Sequence, residues 1–402
     1  MKVSLDQSVP QIGAPEVWKA GYDGTGVKVA VLDTGVDTGH PDLAGKIADA
    51  QSFVPDETVQ DGNGHGTHVA DTIVGSGAAS DGKYKGVAPG AQLLVGKVLD
   101  DTGSGQESWI ISGMEWAANS GAKIVSMSLG GTASGPSDVM SQTVDELSAA
   151  TGTLFAIAAG NTGPSGKTIG TPGIADSALT VGAVDKSDNL ASFSSRGPRT
   201  GDYAVKPEIT APGVSITAAR AAGTSMGTPV NDYYTTASGT SMATPHVAGA
   251  AALVAEAHPD WTGQQIKADL ASTAKTMTDA TPFEQGDGRV DAVRAVEQGV
   301  FATPTLSFGK FDDGDNDVVT KDITYTNTTD HAVELTVASS LTDLALGSGT
   351  VTVPANGTAT VPVGVDPSGR PRAATPVTSP RPPTVSGSPR ASASRRHRRR
   401  TT

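Results

Sequence analysis

The chain has 402 residues, 37% of them hydrophobic, with 49 glycines, 25 prolines and no cysteine. This composition predicts a globular protein of one large domain plus an appendage, and it excludes disulfides, thiolate nucleophiles and cysteine-based metal sites. The net charge of -13 opposes nucleic-acid binding, although nine of the 29 Lys and Arg residues follow Asp366, where no acid occurs.

The opening MKVSLDQSVP lacks the apolar middle of a signal peptide, and no run is long and apolar enough to span a bilayer. From residue 27 to about 300, short Val-, Ile- and Ala-rich runs alternate with helical stretches. That alternation predicts an α/β fold, doubly wound, with a mostly parallel sheet and helices on both faces. Strands are expected at 27–32, 93–98, 123–127, 154–159 and 179–184. Helices are expected at 68–74, 109–119, 139–150, 244–257, 264–272 and 292–297. After Phe301 the alternating segments 322–326, 333–337 and 350–353 predict a small β-sandwich-like domain. Only about five strands fit before Pro367, so the module is expected to be incomplete. Beyond it, a Pro, Ser, Thr, Ala and Arg composition predicts a disordered tail. The expected divisions are 1–20, 21–300, 301–367 and 368–402.

Four segments carry chemistry. The run 29–32 stops at Asp33-Thr34-Gly35, placing a carboxylate at the carboxyl end of a strand, where open α/β sheets build their sites. Gly62-Asn63-Gly64-His65-Gly66-Thr67-His68 puts a histidine in a glycine-rich loop leading into a helix. The strand ending at Gly160-Asn161 offers a side-chain amide, and Gly239-Thr240-Ser241-Met242 sets a serine at a helix start, where its N–H can face an oxyanion.

The segments VAVLDTGVD, GHGTHVA and GTSMATPHVAG, in that order, resemble the three signatures of the subtilase family of serine endopeptidases. The resemblance covers roughly residues 11–299 and implies peptide-bond hydrolysis through an Asp33-His65-Ser241 charge-relay triad and an acyl-enzyme. It further implies an oxyanion hole from Asn161 and the Ser241 N–H. It implies a substrate-binding edge of Ser128, Leu129 and Gly130, facing a wall of Ala158, Ala159 and Gly160. The chemistry requires no cofactor. A structural calcium ion is left open, because Asp42 stands where the family supplies a carboxylate ligand, whereas 76–86 lacks the family's Asn-rich loop. Asp71 departs from the small residue usual at its place. The implied partners are extended protein or peptide substrates and a pro-region that aids folding and blocks the cleft. A monomer outside the cell, with no nucleic-acid or membrane partner, is expected. Residues 3–14 resemble the join of pro-region and mature enzyme, so the natural start is expected upstream of Met1.

Each segment has a plainer reading, since an Asp after a strand or a Ser before a helix is usually a turn former or cap. Four matches in one order favour catalysis. His68 reads as structural and His40 as a turn residue, and His-Gly-Thr-His lacks the spacing and Glu of a zinc peptidase helix. Ser225, in GTSMGTP, nearly duplicates the serine signature, but no small-residue helix follows it. The alternative is a catalytically unproductive fragment or a binding module, to which the incomplete second domain and an Arg-, Pro- and Ser-biased tail suggestive of a frameshift would point.

Overall fold

The computed structural model describes residues 5–133, 135–312, 317–339 and 344–368. Seven strands, β1 (Lys28–Asp33), β2 (Ile47–Ser52), β3 (Gln92–Lys97), β4 (Ile124–Met127), β5 (Leu154–Ala158), β6 (Leu179–Val184) and β7 (Ile209–Pro212), form one sheet. Its order is β2-β3-β1-β4-β5-β6-β7, and every neighbouring pair is parallel. Side chains alternate across a strand, and both sides of β1 are apolar: Val29 and Val31 join one core, Ala30 and Leu32 the other. A strand buried on both faces reads as a continuous apolar run, which is why VAVL was legible.

The helices are α1 (Leu5–Gln11), α2 (Ala14–Ala20), α3 (His65–Val74), α4 (Glu107–Asn119), α5 (Val139–Thr151), α6 (Thr240–Ala257), α7 (Gly263–Ser272), α8 (Pro282–Gln285) and α9 (Ala292–Glu297). α4 and α5 cover the face carrying Ala30 and Leu32. α3, α6, α7, α9 and the N-terminal pair cover the other. Residues 242–255 of α6 are buried all round, as expected of a helix with no polar face at the centre of a layer. The architecture is therefore the doubly wound α/β fold that the alternation predicted.

From β1 the chain runs to β2 and β3 on one side, then crosses back to lay β4 to β7 on the other. This reversal opens a crevice beyond the carboxyl ends of β1 and β4. Asp33 closes β1, and Ser128 follows β4 directly.

Three short strands, β8 (Ile216–Ala219), β9 (Thr228–Pro229) and β10 (Tyr234–Ala237), pair antiparallel beside α3. Near the C-terminus, β11 (Val300–Ala302), β12 (Val319–Asn327), β13 (Val333–Thr336), β14 (Leu344–Leu346), β15 (Thr350–Val353) and β16 (Gly357–Val365) follow. They form a four-stranded sheet ordered β11-β12-β16-β14 and a two-stranded sheet of β13 and β15. These enclose a separate small core that includes Ile323, Tyr325, Leu335 and Val361. Of the expected tail, all but Ser368 lies outside the described residues, as do residues 1–4. Among the described residues, no helix is long and apolar enough to cross a membrane.

The structure differs from the expected elements in several places. α3 begins at His65 and α6 at Thr240, earlier than their apolar stretches announce, because first turns are built from polar and glycine residues. The edge strand β2, with sequence IADAQS, carries no apolar run. α1 and α2 bury Leu5, Val9 and Val17 in the main core, although MKVSLDQSVP has no clear period.

In α7, Asp269 is buried, and among the described residues neither of its carboxylate oxygens finds a hydrogen-bond partner. Burial raises its pKa well above 3.8, and the nearby Arg294 charge offsets this only in part. A raised folded-state pKa means the native chain binds the extra proton, so this group subtracts stability as pH rises above about 4. We expect Asp269→Leu to gain on the wild type between pH 4 and pH 8, by roughly 1.4 kcal/mol per pH unit until the folded pKa is passed. Urea unfolding of both chains at the two pH values measures this. A stability difference that stays constant across that range would contradict the assignment.

Candidate active site

Asp33 and His65 meet because helix α3 starts almost in contact with the end of β1. A Cβ on Gly66 would lie 2.2 Å from Gly35 O and 3.2 Å from the Asp33 Cβ, so only glycine lets the helix come this close. Gly64 precedes His65 with φ +104, in the left-handed region, and a Cβ there would meet Thr224 Oγ1 at 2.7 Å. The result is a 2.8 Å hydrogen bond between His65 Nδ1 and Asp33 Oδ1, which also accepts from the Thr34 N–H at 2.8 Å.

Asp61 ties the two elements together. Its Oδ1 accepts from the Gly64 N–H at 2.7 Å and the Thr34 hydroxyl at 2.9 Å, and its Oδ2 from the Thr67 N–H at 2.8 Å. It therefore caps the first turn of α3 and anchors that turn to the residue after Asp33. Lys97, buried at the end of β3, donates to Thr34 O at 2.7 Å and fixes the same turn from below. Burial works against a charged His65, but the charge of Asp33, its hydrogen bond and the charge of Asp61 prevail, and the imidazole pKa is raised above 6.5.

Ser241 is the second residue of α6, whose opening N–H groups have no carbonyl within the helix. Its Oγ donates to Ser128 O at 3.1 Å rather than to His65, and Ser128 Oγ donates to Ser241 O at 2.8 Å. The hydroxyl thus shares a cleft with the imidazole. Asn161 follows β5. Its Oδ1 accepts from the Thr240 N–H at 2.8 Å and the Thr240 hydroxyl at 3.1 Å. Because an N–H can only donate, this contact identifies the carbonyl side of the amide and leaves Nδ2 as a donor at the cleft wall.

The cleft has a volume of about 1080 Å³, and His65, Asn161 and Ser241 line it together with Ser128, Leu129, Gly130, Ala158 and Gly160. Ala159 does not line it. In an extended chain alternate residues face opposite ways, and Ala159 packs instead with Ile169 and Ile174.

His68 and His40 hold structure. His68, buried in α3, donates Nε2–H to Ile216 O at 3.0 Å, and burial lowers its pKa to about 4. His40 Nε2 donates to Tyr233 O at 2.9 Å while Nδ1 accepts from the Asp42 N–H at 3.2 Å. Asp71 is accommodated inside α3: its Oδ2 accepts from the Ala219 N–H of β8 at 2.7 Å, and burial and the Asp42 charge raise its pKa well above 3.8. Ser225 is exposed, outside any helix and away from the cleft lining, although its neighbours Thr224 and Met226 cover Gly64.

Asp42 does not fit a calcium ligand here. Its Oδ1 accepts from the Ala79 N–H at 2.8 Å and its Oδ2 from the Tyr234 hydroxyl at 2.6 Å, donors that stand where a cation would bind. Among the described residues, no group of three or more His, Asp or Glu side chains gathers to hold a metal ion.

A buried carboxylate bonded to an imidazole, beside a serine at a helix start on an open α/β sheet, is the constellation of a serine hydrolase. Residues 24–288 match the model of the Subtilase family, and the chain belongs to that family as a subtilisin-like serine endopeptidase. It is 44% identical to Subtilisin E of Bacillus subtilis (strain 168) over 298 residues, covering 73% of this chain and 72% of the relative. It is 43% identical to Subtilisin of Bacillus pumilus over 298 residues, covering 73% of this chain and 99% of that one. To an Alkaline protease of Alkalihalobacillus alcalophilus the identity is 41% over 297 residues, 73% of this chain and 71% of the relative.

Proposed function

We propose that Ser241 is the nucleophile of this endopeptidase, His65 its general base and Asp33 the carboxylate that orients the imidazole. The observation that carries this reading is the 2.8 Å bond between His65 Nδ1 and Asp33 Oδ1, in a cleft that also holds Ser241. With Nδ1–H donated to Asp33, Nε2 is the basic nitrogen. Ser241 Oγ turns from Ser128 O toward His65, gives its proton to Nε2 and bonds to the peptide carbonyl carbon. The carbonyl oxygen becomes an oxyanion between Asn161 Nδ2–H and the Ser241 N–H. His65 then passes its proton to the leaving amine, an acyl-enzyme remains on Ser241, and water reverses the sequence to release the acid.

Substrates lie extended along Ser128, Leu129 and Gly130, whose backbone supplies affinity without regard to sequence. Ala158 and Gly160 form the opposite wall, and the backbone of Ala159 joins them. Large apolar residues are preferred before the cut bond, and the negative field of the protein disfavours acidic ones. A pro-region of the family type assists folding and blocks the cleft. The working form is an extracellular monomer with no nucleic-acid or membrane partner. Residues 21–300 act as the catalytic unit behind the segment 1–20, and 301–367 as a separate β domain.

Asn161→Ala tests the oxyanion assignment. The amide meets charge that develops only in the transition state, so kcat should fall by about a hundredfold to a thousandfold, the range measured in subtilisin itself, with little change in KM. Steady-state kinetics on a peptide anilide reads both constants. An unchanged kcat removes Asn161 from the mechanism.

A further inference from the structure

Apart from His65, the charged side chains lining the cleft are Glu107 and Lys167. They are not equivalent. Lys167 is already engaged, donating to the Tyr203 hydroxyl at 3.0 Å and lying 4.3 Å from the centre of that ring. Glu107, in the first turn of α4, is exposed, and among the described residues its carboxylate makes no hydrogen bond or ion pair. One helical turn on, Ile110 reaches the same cleft, where Leu129 and Met140 complete an apolar floor. A free carboxylate therefore stands at the rim of an apolar depression.

We infer that Glu107 makes this peptidase select lysine or arginine at a substrate position on the acyl side, two or more residues before the cut bond. The inference rests on the proposed binding of substrate along 128–130. Lysine and arginine match the site because their aliphatic stems can lie on Ile110, Leu129 and Met140 while the cationic tip meets the carboxylate. An acidic residue there would bring two like charges together. The distance from the cut follows from strand geometry. Ser128 O lies at the nucleophile, the floor begins at Leu129 one residue farther along the edge, and a strand advances about 3.3 Å per residue. The residue over Glu107 is thus not the one whose carbonyl is attacked.

The effect should have the size and salt response of an exposed ion pair. We expect kcat/KM to be about threefold to tenfold higher for Lys than for Glu at the selected position, with the ratio shrinking as NaCl rises from 20 mM to 1 M. A peptide library randomised at the four positions before a fixed cleavable bond, read by mass spectrometry, locates that position. The Lys-to-Glu ratio is then measured for wild type, Glu107→Gln and Glu107→Lys. A ratio falling toward one in Glu107→Gln and below one in Glu107→Lys supports the inference. A wild type without basic preference on the acyl side, or a preference that survives Glu107→Gln, overturns it while leaving the catalytic reading intact. A chain that cuts no library member overturns the catalytic reading and this inference with it.

Discussion

Ser241→Ala is expected to lower kcat by about a millionfold, the scale measured for the nucleophile of subtilisin itself, while Ser225→Ala keeps nearly full turnover. The two serines sit in almost the same local sequence, so the difference must come from where the fold puts them. Ser241 is the second residue of an 18-residue helix and lines the cleft, and Thr240 beside it is clamped by Asn161 at 2.8 Å. Ser225 lies in an exposed loop whose neighbours shield Gly64, with no helix behind it and, among the described residues, no hydrogen bond from its hydroxyl. Alanine at position 241 removes one oxygen from a partly exposed site, so both variants should melt close to wild type. Hydrolysis of a peptide anilide, alongside circular dichroism melts, separates loss of chemistry from loss of fold. Comparable losses in the two variants would contradict the assignment.

Asp33→Asn should cost about ten-thousandfold in kcat, because an amide can no longer hold Nδ1–H in place and leave Nε2 as the base. The same variant should shift the pH profile. The Asp33 charge and hydrogen bond keep the His65 pKa above 6.5, so wild-type kcat/KM should fall on the acid side as pH drops through a value above 6.5. Without that negative charge the imidazole binds its proton less tightly, and the acid limb of the residual activity should move to lower pH. Asp33 is buried, and the Thr34 N–H can still donate to the amide oxygen, so the fold should persist. A folded Asp33→Asn variant with near-normal turnover, or with an unmoved acid limb, would refute the role given to Asp33.

What the sequence made legible was local. The run VAVL ending at Asp33 announces a buried strand with a carboxylate at its carboxyl end, and the Ala-rich stretch after Ser241 announces the helix that carries the serine. What it hid depends on residues far apart in the chain. Tyr234 reaches Asp42 across 192 positions, which turned the open calcium expectation into a hydrogen-bonded pair. Asp61 looked like any loop acid, and its part in joining α3 to β1 appears only once Thr34, Gly64 and Thr67 surround it. Ala159 was expected to line the cleft with its neighbours, but the alternation of an extended chain turns its side chain inward. Glu107 stood out in no motif, because an unpaired charge on a cleft rim can be recognised only when every neighbouring partner is in view.

The most direct test of the central claim is labelling of the purified wild-type chain with a fluorophosphonate probe, followed by peptide mapping. A fluorophosphonate captures only a serine activated by a working base and oxyanion hole. One equivalent of label on Ser241, abolished in His65→Ala and retained in Ser225→Ala, is the result expected. Label on Ser225, or a folded chain that takes none, would contradict it.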